Sequence, residues 1–338
     1  MSSLAIPART PVLVTGASGF TGSLLVRKLC QAGLDVRAIA RSSSRLEHLQ
    51  DLPITWIRGD VFDPDTVAAA AQGVAYVFHV AAAYRQAKVS DDFYRQVHVD
   101  STQLLAKAVA GQPDFQRFVH VSTVGVHGHI AKPPAAENYP FDPDDMYQKT
   151  KADAELWIRD FAPRNDLPCT VIRPCAIYGP GDTRLLKLFR LAVGPIFPLL
   201  GKGKCLYHLV HVDDLTDIMI LAATHPAALG EVFIAGNPEA VSLEKMGRIV
   251  ADAMGRHLRV VRLPAWPFFA LAAVCENVCR PLGLEPPLYK RRVAFYTKDR
   301  SFNTAKLRNR LEYQVKWPDE DGLAETARWY RDKGLLKA

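Results

Sequence analysis

Short runs of apolar, mostly β-branched residues recur along the chain at positions 11–15, 36–40, 54–58, 76–80, 118–122 and 170–173, with longer segments of helical spacing between them. Runs that are apolar at nearly every position suit strands buried on both faces. The alternation therefore predicts an α/β fold, a doubly wound parallel sheet covered by helices on each side. Beyond Pro174 the regularity gives way to Gly and Pro punctuation at 179–181, 194–198 and 201–203. A strand-like stretch at 206–212, a helix at 213–223 and a strand at 231–235 are read as chain returning to the main sheet. The expected organisation is a dinucleotide-type domain over 1–180 and 205–235, with a smaller substrate-binding lobe from 181–204 and 236–338.

Two further apolar stretches fall in that lobe: 185–200, with Phe189, Ile196 and Phe197, and 263–275, with Trp266, Phe268 and Phe269. Both are shorter than the roughly 20 residues that cross a bilayer. They are expected to line an apolar pocket, to lie in a membrane interface beside basic residues such as Lys187, Arg190, Lys202, Lys204, Arg280 and those at 290–292, or to form the core of the lobe.

The chain has 338 residues, 49% hydrophobic and 23% charged, an ordinary globular composition with enough length for a sizeable core. Its net charge of +7 raises the question of nucleic acid, but no block of Lys and Arg forms a basic tract, so a nucleic-acid partner is not expected. An anionic cofactor or a membrane surface suits the same charge. The six cysteines form no CxxC pair and sit mostly in apolar runs, which fits a reducing compartment. The first ten residues lack a charged segment followed by a long apolar one, so a cytoplasmic protein is expected, with peripheral contact at the inner face of the membrane and a homodimer left open.

Thr15-Gly16-Ala17-Ser18-Gly19-Phe20-Thr21-Gly22 follows the first apolar strand and opens a helical pattern that runs to about Gln31. Glycines there permit a tight turn and close approach of backbone to a pyrophosphate, while the helix N-terminus supplies N–H donors and positive dipole. Gly16, Ser18, Gly19, Phe20, Thr21 and Gly22 are therefore candidate cofactor contacts.

The GxxGxxG spacing resembles that of the extended short-chain dehydrogenase/reductases, and the resemblance continues along the chain. Asp60-Val61 looks like the family's adenine-contacting pair and His79-Val80-Ala81-Ala82 like the loop beneath the adenosine ribose. Ser122-Thr123 resembles the end of its fifth strand, Tyr147-Gln148-Lys149-Thr150-Lys151 its YxxxK signature, and Arg173-Pro174 with the segment from Ile177 to Gly181 the stretch after its sixth strand. The resemblance implies a Rossmann-type fold, an NAD(P)-dependent enzyme acting on CH–OH groups, and cofactor contacts from Asp60, Val61, Val80, Ala81, Ala82, Ser122, Pro174 and Ile177.

Tyr147 and Lys151 are four apart in a helical pattern, so both project from one face. An ammonium beside a phenol favours the phenolate, which equips Tyr147 to exchange a proton with a substrate oxygen. The resemblance implies that Lys151 also holds the nicotinamide ribose and that Thr123 hydrogen-bonds the substrate oxygen, with Ser122 as the alternative. His98 stands where the family commonly has an Asn that helps orient the lysine through water. A histidine both donates and accepts, so the change is not read as loss of activity.

The second apolar run ends at Arg41, followed by three serines and Arg45, with no acid before Glu47. An acid there would select the 2′-hydroxyl of NAD, whereas Arg accommodates the 2′-phosphate, so NADP(H) is favoured, with NAD(H) left open. Ala176 occupies the position where nucleotide-sugar members carry an Asn toward the substrate. The Arg-Pro form and the segments 286–292 and 299–303 resemble the branch of 3β-hydroxysteroid dehydrogenases, sterol-4-carboxylate 3-dehydrogenases and dihydroflavonol reductases. The expected substrate is a hydrophobic secondary alcohol or ketone, sterol-like. A 4-carboxysterol oxidised at its 3-hydroxyl would become a β-keto acid that readily loses carbon dioxide. The alternatives are a nucleotide-sugar epimerase, dehydratase or reductase, and a non-catalytic dinucleotide sensor, against which the intact Tyr147/Lys151 pair argues.

Overall fold

The six apolar runs become six strands of one seven-stranded sheet in the computed structural model, which describes residues 6–83, 90–201, 203, 205–279, 284, 286–288, 293 and 299–336. These strands are β1 (Pro11–Thr15), β2 (Asp35–Ala40), β3 (Thr55–Arg58), β4 (Tyr76–His79), β5 (Arg117–Val121) and β6 (Cys169–Pro174). The seventh, Val232–Ala235, extends the sheet beside β6, giving the order Val232–Ala235, β6, β5, β4, β1, β2, β3, with every pair parallel. Every residue of β4, β5 and β6 is buried, as helices on both faces require. Those helices include α1 (Phe20–Gln31), α2 (Pro64–Ala71), α3 (Asp91–Arg95), α4 (Ser101–Val109) and α5 (Met146–Arg164). Chain order reverses between β1 and β4, and such a switch point opens a crevice at the carboxyl ends of the strands.

The stretch 206–212 departs from expectation. It forms two short strands outside the main sheet: Leu206–Tyr207, antiparallel to Val241–Ser242, and Leu209–His211, parallel to Ala176–Tyr178. The break falls at His208, whose buried ring accepts the Phe302 N–H at Nδ1 (3.1 Å) and donates from Nε2 to the Asn237 carbonyl (2.6 Å). Satisfying that polar ring against two other segments takes the chain off the sheet. The helix after it, Val212–Thr224, matches the reading of the sequence.

A second core, apart from those of the sheet, packs Phe189, Phe197, Tyr207, Met246, Val250 and Tyr330 together. This places Phe189 and Phe197 of the 185–200 stretch in the protein interior, not against a pocket or bilayer. Phe302, Leu307, Leu311 and Tyr313 pack instead into the core beneath the sheet. The chain there is fixed by the buried Asp214 carboxylate, which accepts from the Tyr313 hydroxyl (2.6 Å) and the backbone N–H groups of Lys316 (2.9 Å) and Trp317 (3.0 Å). Tyr289, Lys290, Arg291 and Arg292, together with Lys202, Lys204 and Arg280, lie outside the described residues.

Helix α5 carries a second buried carboxylate, Glu155, which accepts from Arg173 Nε on β6 at 3.0 and 3.1 Å. Both side chains are fully buried, and the guanidinium also donates to the Glu137 carbonyl (2.7 Å) and stands 4.9 Å from the Phe141 ring. Removing one partner of such a pair leaves a buried charge uncompensated, at a cost of about 3–5 kcal/mol. Glu155→Ala is expected to lose stability on that scale in urea unfolding. A double replacement, Glu155→Leu with Arg173→Met, should recover most of it. A single variant within about 1 kcal/mol of the parent would show that the pair does not hold α5 to β6.

Candidate active site

A cleft of about 660 Å³ opens at the carboxyl ends of the strands, between the glycine turn and the lobe. Its floor is backbone. A Cβ placed on Gly16, whose φ is +73°, would lie 2.8 Å from Ala81 N, and one on Gly22 would lie 2.1 Å from the Gly16 carbonyl oxygen, so neither position admits a side chain. Helix α1 begins after Gly19 with no side-chain cap and no acid in its first turn, which leaves its N–H groups and dipole to an anion. Ser18, Phe20 and Thr21 line the same end, and the Arg184 guanidinium lies 5.5 Å from the Phe20 ring.

Asp60 and Val61, just after β3, line the cleft beyond the turn, as do Val80, Ala81 and Ala82 after β4. Arg41, exposed at the end of β2, lines it with Ser44; Arg45 is exposed and is not among the lining residues. At the other end the cleft is lined by Ser122, Thr123, Tyr147, Lys151, Pro174 and Ile177. The buried Ser122 Oγ has no hydrogen-bond partner among the described residues, an orphan atom that a ligand in the cleft can satisfy. A narrow backbone cradle, an uncapped helix N-terminus and this orphan hydroxyl fit a dinucleotide lying across the switch point.

Lys151 is fully buried, and its ammonium donates to the Val121 carbonyl at the end of β5 (2.9 Å). Burial lowers its pKa to about 8, against the opposing pull of Glu155 one turn along α5. Thr123 Oγ1 accepts the Gly125 N–H (3.0 Å), which leaves its hydroxyl proton to be donated elsewhere. Both of these side chains are therefore oriented before substrate arrives.

Two neutral histidines hold this arrangement. The Ala81 N–H donates to Thr15 Oγ1 (3.2 Å), which pairs with His79 Nδ1 (2.8 Å); His79 Nε2 pairs with Thr102 Oγ1 (3.0 Å), and Thr102 donates to the His98 carbonyl (2.6 Å). His98 Nε2 accepts the Ala83 N–H (3.0 Å), so the ring proton belongs on Nδ1, facing Thr150 Oγ1 (2.8 Å), which in turn donates to the Met146 carbonyl (2.8 Å). Burial and the Lys151 charge depress both rings, His79 to about 3 and His98 to about 2, so neither carries charge near neutral pH. His98 also stands edge-on to the Tyr147 ring, 5.3 Å between centroids. It lies in a π-helical turn, Gln96–Asp100, that re-aims the chain entering α4.

Arg184, Leu185, Tyr207, His208, Arg300 and Phe302 also line the cleft. None of these was singled out from the sequence as a site residue. They come from distant segments joined by single bridges, Ala135 with Phe302 and Tyr207 with Arg300, which no local spacing signals.

A family model described as the NAD dependent epimerase/dehydratase family matches residues 12–236, the span that builds the sheet and most of the cleft. The chain is similar to a 3 beta-hydroxysteroid dehydrogenase/Delta 5-->4-isomerase of Mycobacterium tuberculosis, 30% identical over 94% of this chain and 90% of that protein. It is also similar to a ceramide reductase of Caulobacter vibrioides, 29% identical over 98% of both. Among solved structures, that of gox2253 superposes with a TM-score of 0.82 at 28% identity, covering 97% of this chain and all of the other. The chain thus belongs to the NAD-dependent epimerase/dehydratase family of extended short-chain dehydrogenase/reductases, and is a nicotinamide-dependent enzyme of the dehydrogenase/reductase type.

Proposed function

We propose that this enzyme interconverts a secondary alcohol and a ketone on a hydrophobic, sterol-like molecule, with NADP(H) as its favoured cofactor. The observation that carries the reading is the meeting, in one cleft, of Tyr147, Lys151 and the Thr123 hydroxyl with a substrate wall that includes Val124, Ala176, Ile177, Leu185 and Phe302. In the oxidising direction the substrate hydroxyl proton passes to the Tyr147 phenolate as the C–O bond becomes a carbonyl. Thr123 donates its free hydroxyl proton to the same oxygen and orients it. Lys151 holds the phenolate by its charge. The bound nicotinamide supplies the hydride acceptor, or the donor in reverse. Arg184 and Arg300 on the lobe side favour a second reading, in which an anionic group such as a nucleotide-sugar phosphate lies against that wall.

A screen of hydroxysteroids, sterols, flavonoids and nucleotide sugars with both cofactors, read at the nicotinamide absorbance, tests the proposal. Turnover is expected with the hydroxysteroids or sterols. Tyr147→Phe should lower it by roughly 10²–10⁴-fold while leaving cofactor affinity nearly intact, because the phenol moves the proton without holding the dinucleotide. Turnover confined to nucleotide sugars would favour the second reading, and an undiminished Tyr147→Phe rate would remove the proton-transfer role.

Lys151 also sets a pH dependence. With its pKa lowered to about 8, the ammonium is intact below that pH and is lost as pH rises through it, taking with it the attraction that holds the phenolate. The expected kcat/KM therefore declines above pH about 8, in a limb absent from a folded Lys151→Arg variant, whose guanidinium keeps its proton. An unchanged limb in that variant would assign it to another group.

Arg41 stands at the cleft without a neighbouring acid on its strand end, which is the basis for favouring the 2′-phosphate. A charge-assisted phosphate contact contributes roughly 1.5–3 kcal/mol, so Arg41→Ala should weaken NADPH by about tenfold or more and hardly alter NADH. Titration of both cofactors checks this, and equal losses would make Arg41 a surface residue only.

A further inference from the structure

The helix Trp266–Cys279 is apolar on nearly every side, and only Ala272 among its 14 residues is buried. Trp266 is 74% exposed, Leu271 53%, Val274 58% and Val278 55%, and the last three share one face by their spacing of three and four. Isolated apolar residues on a surface are ordinary, but a stripe of three together with an exposed tryptophan on the same short helix is costly to leave in water. The comparable stretch at 185–200 buries Phe189 and Phe197 and leaves one large apolar side chain, Ile196, comparably exposed at 51%, whereas this helix exposes four.

Charge indicates what covers it. The chain's basic excess looks diffuse when counted over its whole length, yet between residues 256 and 300 there are nine Lys and Arg against three Asp and Glu, an excess of six in a chain whose net charge is +7. Arg256, His257 and Arg259, which lead into the helix, are exposed. A segment with a basic excess opposes a second copy of itself, whereas an anionic bilayer attracts it and accepts the apolar stripe. No described helix is long and apolar enough to cross a membrane, and 14 residues span only about 21 Å.

We infer that Trp266–Cys279 is a docking helix that lies in the interface of an anionic lipid bilayer, bringing the cleft to a lipid-phase substrate. The delivery role rests on the function proposed above; the docking does not, and is measured without substrate. Cosedimentation of the full chain with vesicles of phosphatidylcholine plus phosphatidylglycerol should show binding that weakens in high salt and with phosphatidylcholine alone. The combined change Leu271→Ser, Val274→Ser and Val278→Ser should weaken it by about tenfold or more while cofactor affinity, a check on folding, stays unchanged. Quenching of tryptophan fluorescence by brominated lipid, largely lost in Trp266→Phe, would place the helix in the bilayer even if the triple variant failed to fold. No binding above the phosphatidylcholine background, or equal binding by a folded triple variant, would overturn the proposal. So would self-association, without vesicle binding, that the triple variant abolishes, since the occupant would then be a second copy. Retained vesicle binding without sterol turnover would leave the docking standing and count against the proposed substrate.

Discussion

The site depends on one unbroken run of hydrogen bonds from the glycine-turn strand to the catalytic helix. It passes from Ala81 through Thr15, His79 and Thr102 to the His98 backbone, and the His98 ring then joins Ala83 to Thr150, between Tyr147 and Lys151 on α5. The Thr102, Ser101 and Thr150 hydroxyls donate to backbone carbonyls, so the facing ring nitrogens, His79 Nε2 and His98 Nδ1, carry the protons. A ring that must accept from a backbone N–H with one nitrogen and donate with the other cannot become charged without breaking the run. Burial reinforces this by depressing both rings far below neutral pH. The loop after β4 and helix α5 are thereby fixed to one another. His98 thus gives the position where the family commonly has Asn a direct side-chain link to α5.

Against this uncharged scaffold, α5 buries two charged residues, Lys151 and Glu155. Lys151 and Glu155 are one turn apart, and Glu155 is paired with Arg173 on β6. Glu155 raises the pKa of Lys151 while burial lowers it, and burial is the larger effect, leaving the ammonium poised near pH 8. The same carboxylate serves two neighbours: it fixes the helix to the sheet through Arg173 and partly sustains the positive charge of Lys151.

What the sequence made legible was whatever depends on local spacing. The glycine turn could be read because close backbone approach excludes side chains at Gly16 and Gly22, and the Tyr147/Lys151 pair because four residues make about one helical turn. The strands of the sheet could be read because double-sided burial leaves few polar residues in them. The run 206–212 misled for the same reason: it is apolar enough for a sheet strand, but His208 finds its partners at Asn237 and Phe302, far along the chain. The lobe side of the cleft was hidden likewise, since Arg300 and Phe302 reach it through isolated bridges to Tyr207 and Ala135.

This division explains why the cofactor side is so much better determined than the substrate. Residues 12–236 carry the turn, helix α5 and the strand ends, and the end of the cleft that fits a dinucleotide is fixed by backbone geometry. The facing wall combines apolar side chains with Arg184 and Arg300, and the Arg300 guanidinium lies 5.5 Å from the Tyr207 ring and donates to its hydroxyl. A wall of that composition presents apolar surface and two guanidinium groups together. Specificity then depends on the depth and shape of the lobe, which side chains from distant segments set together, and not on any motif.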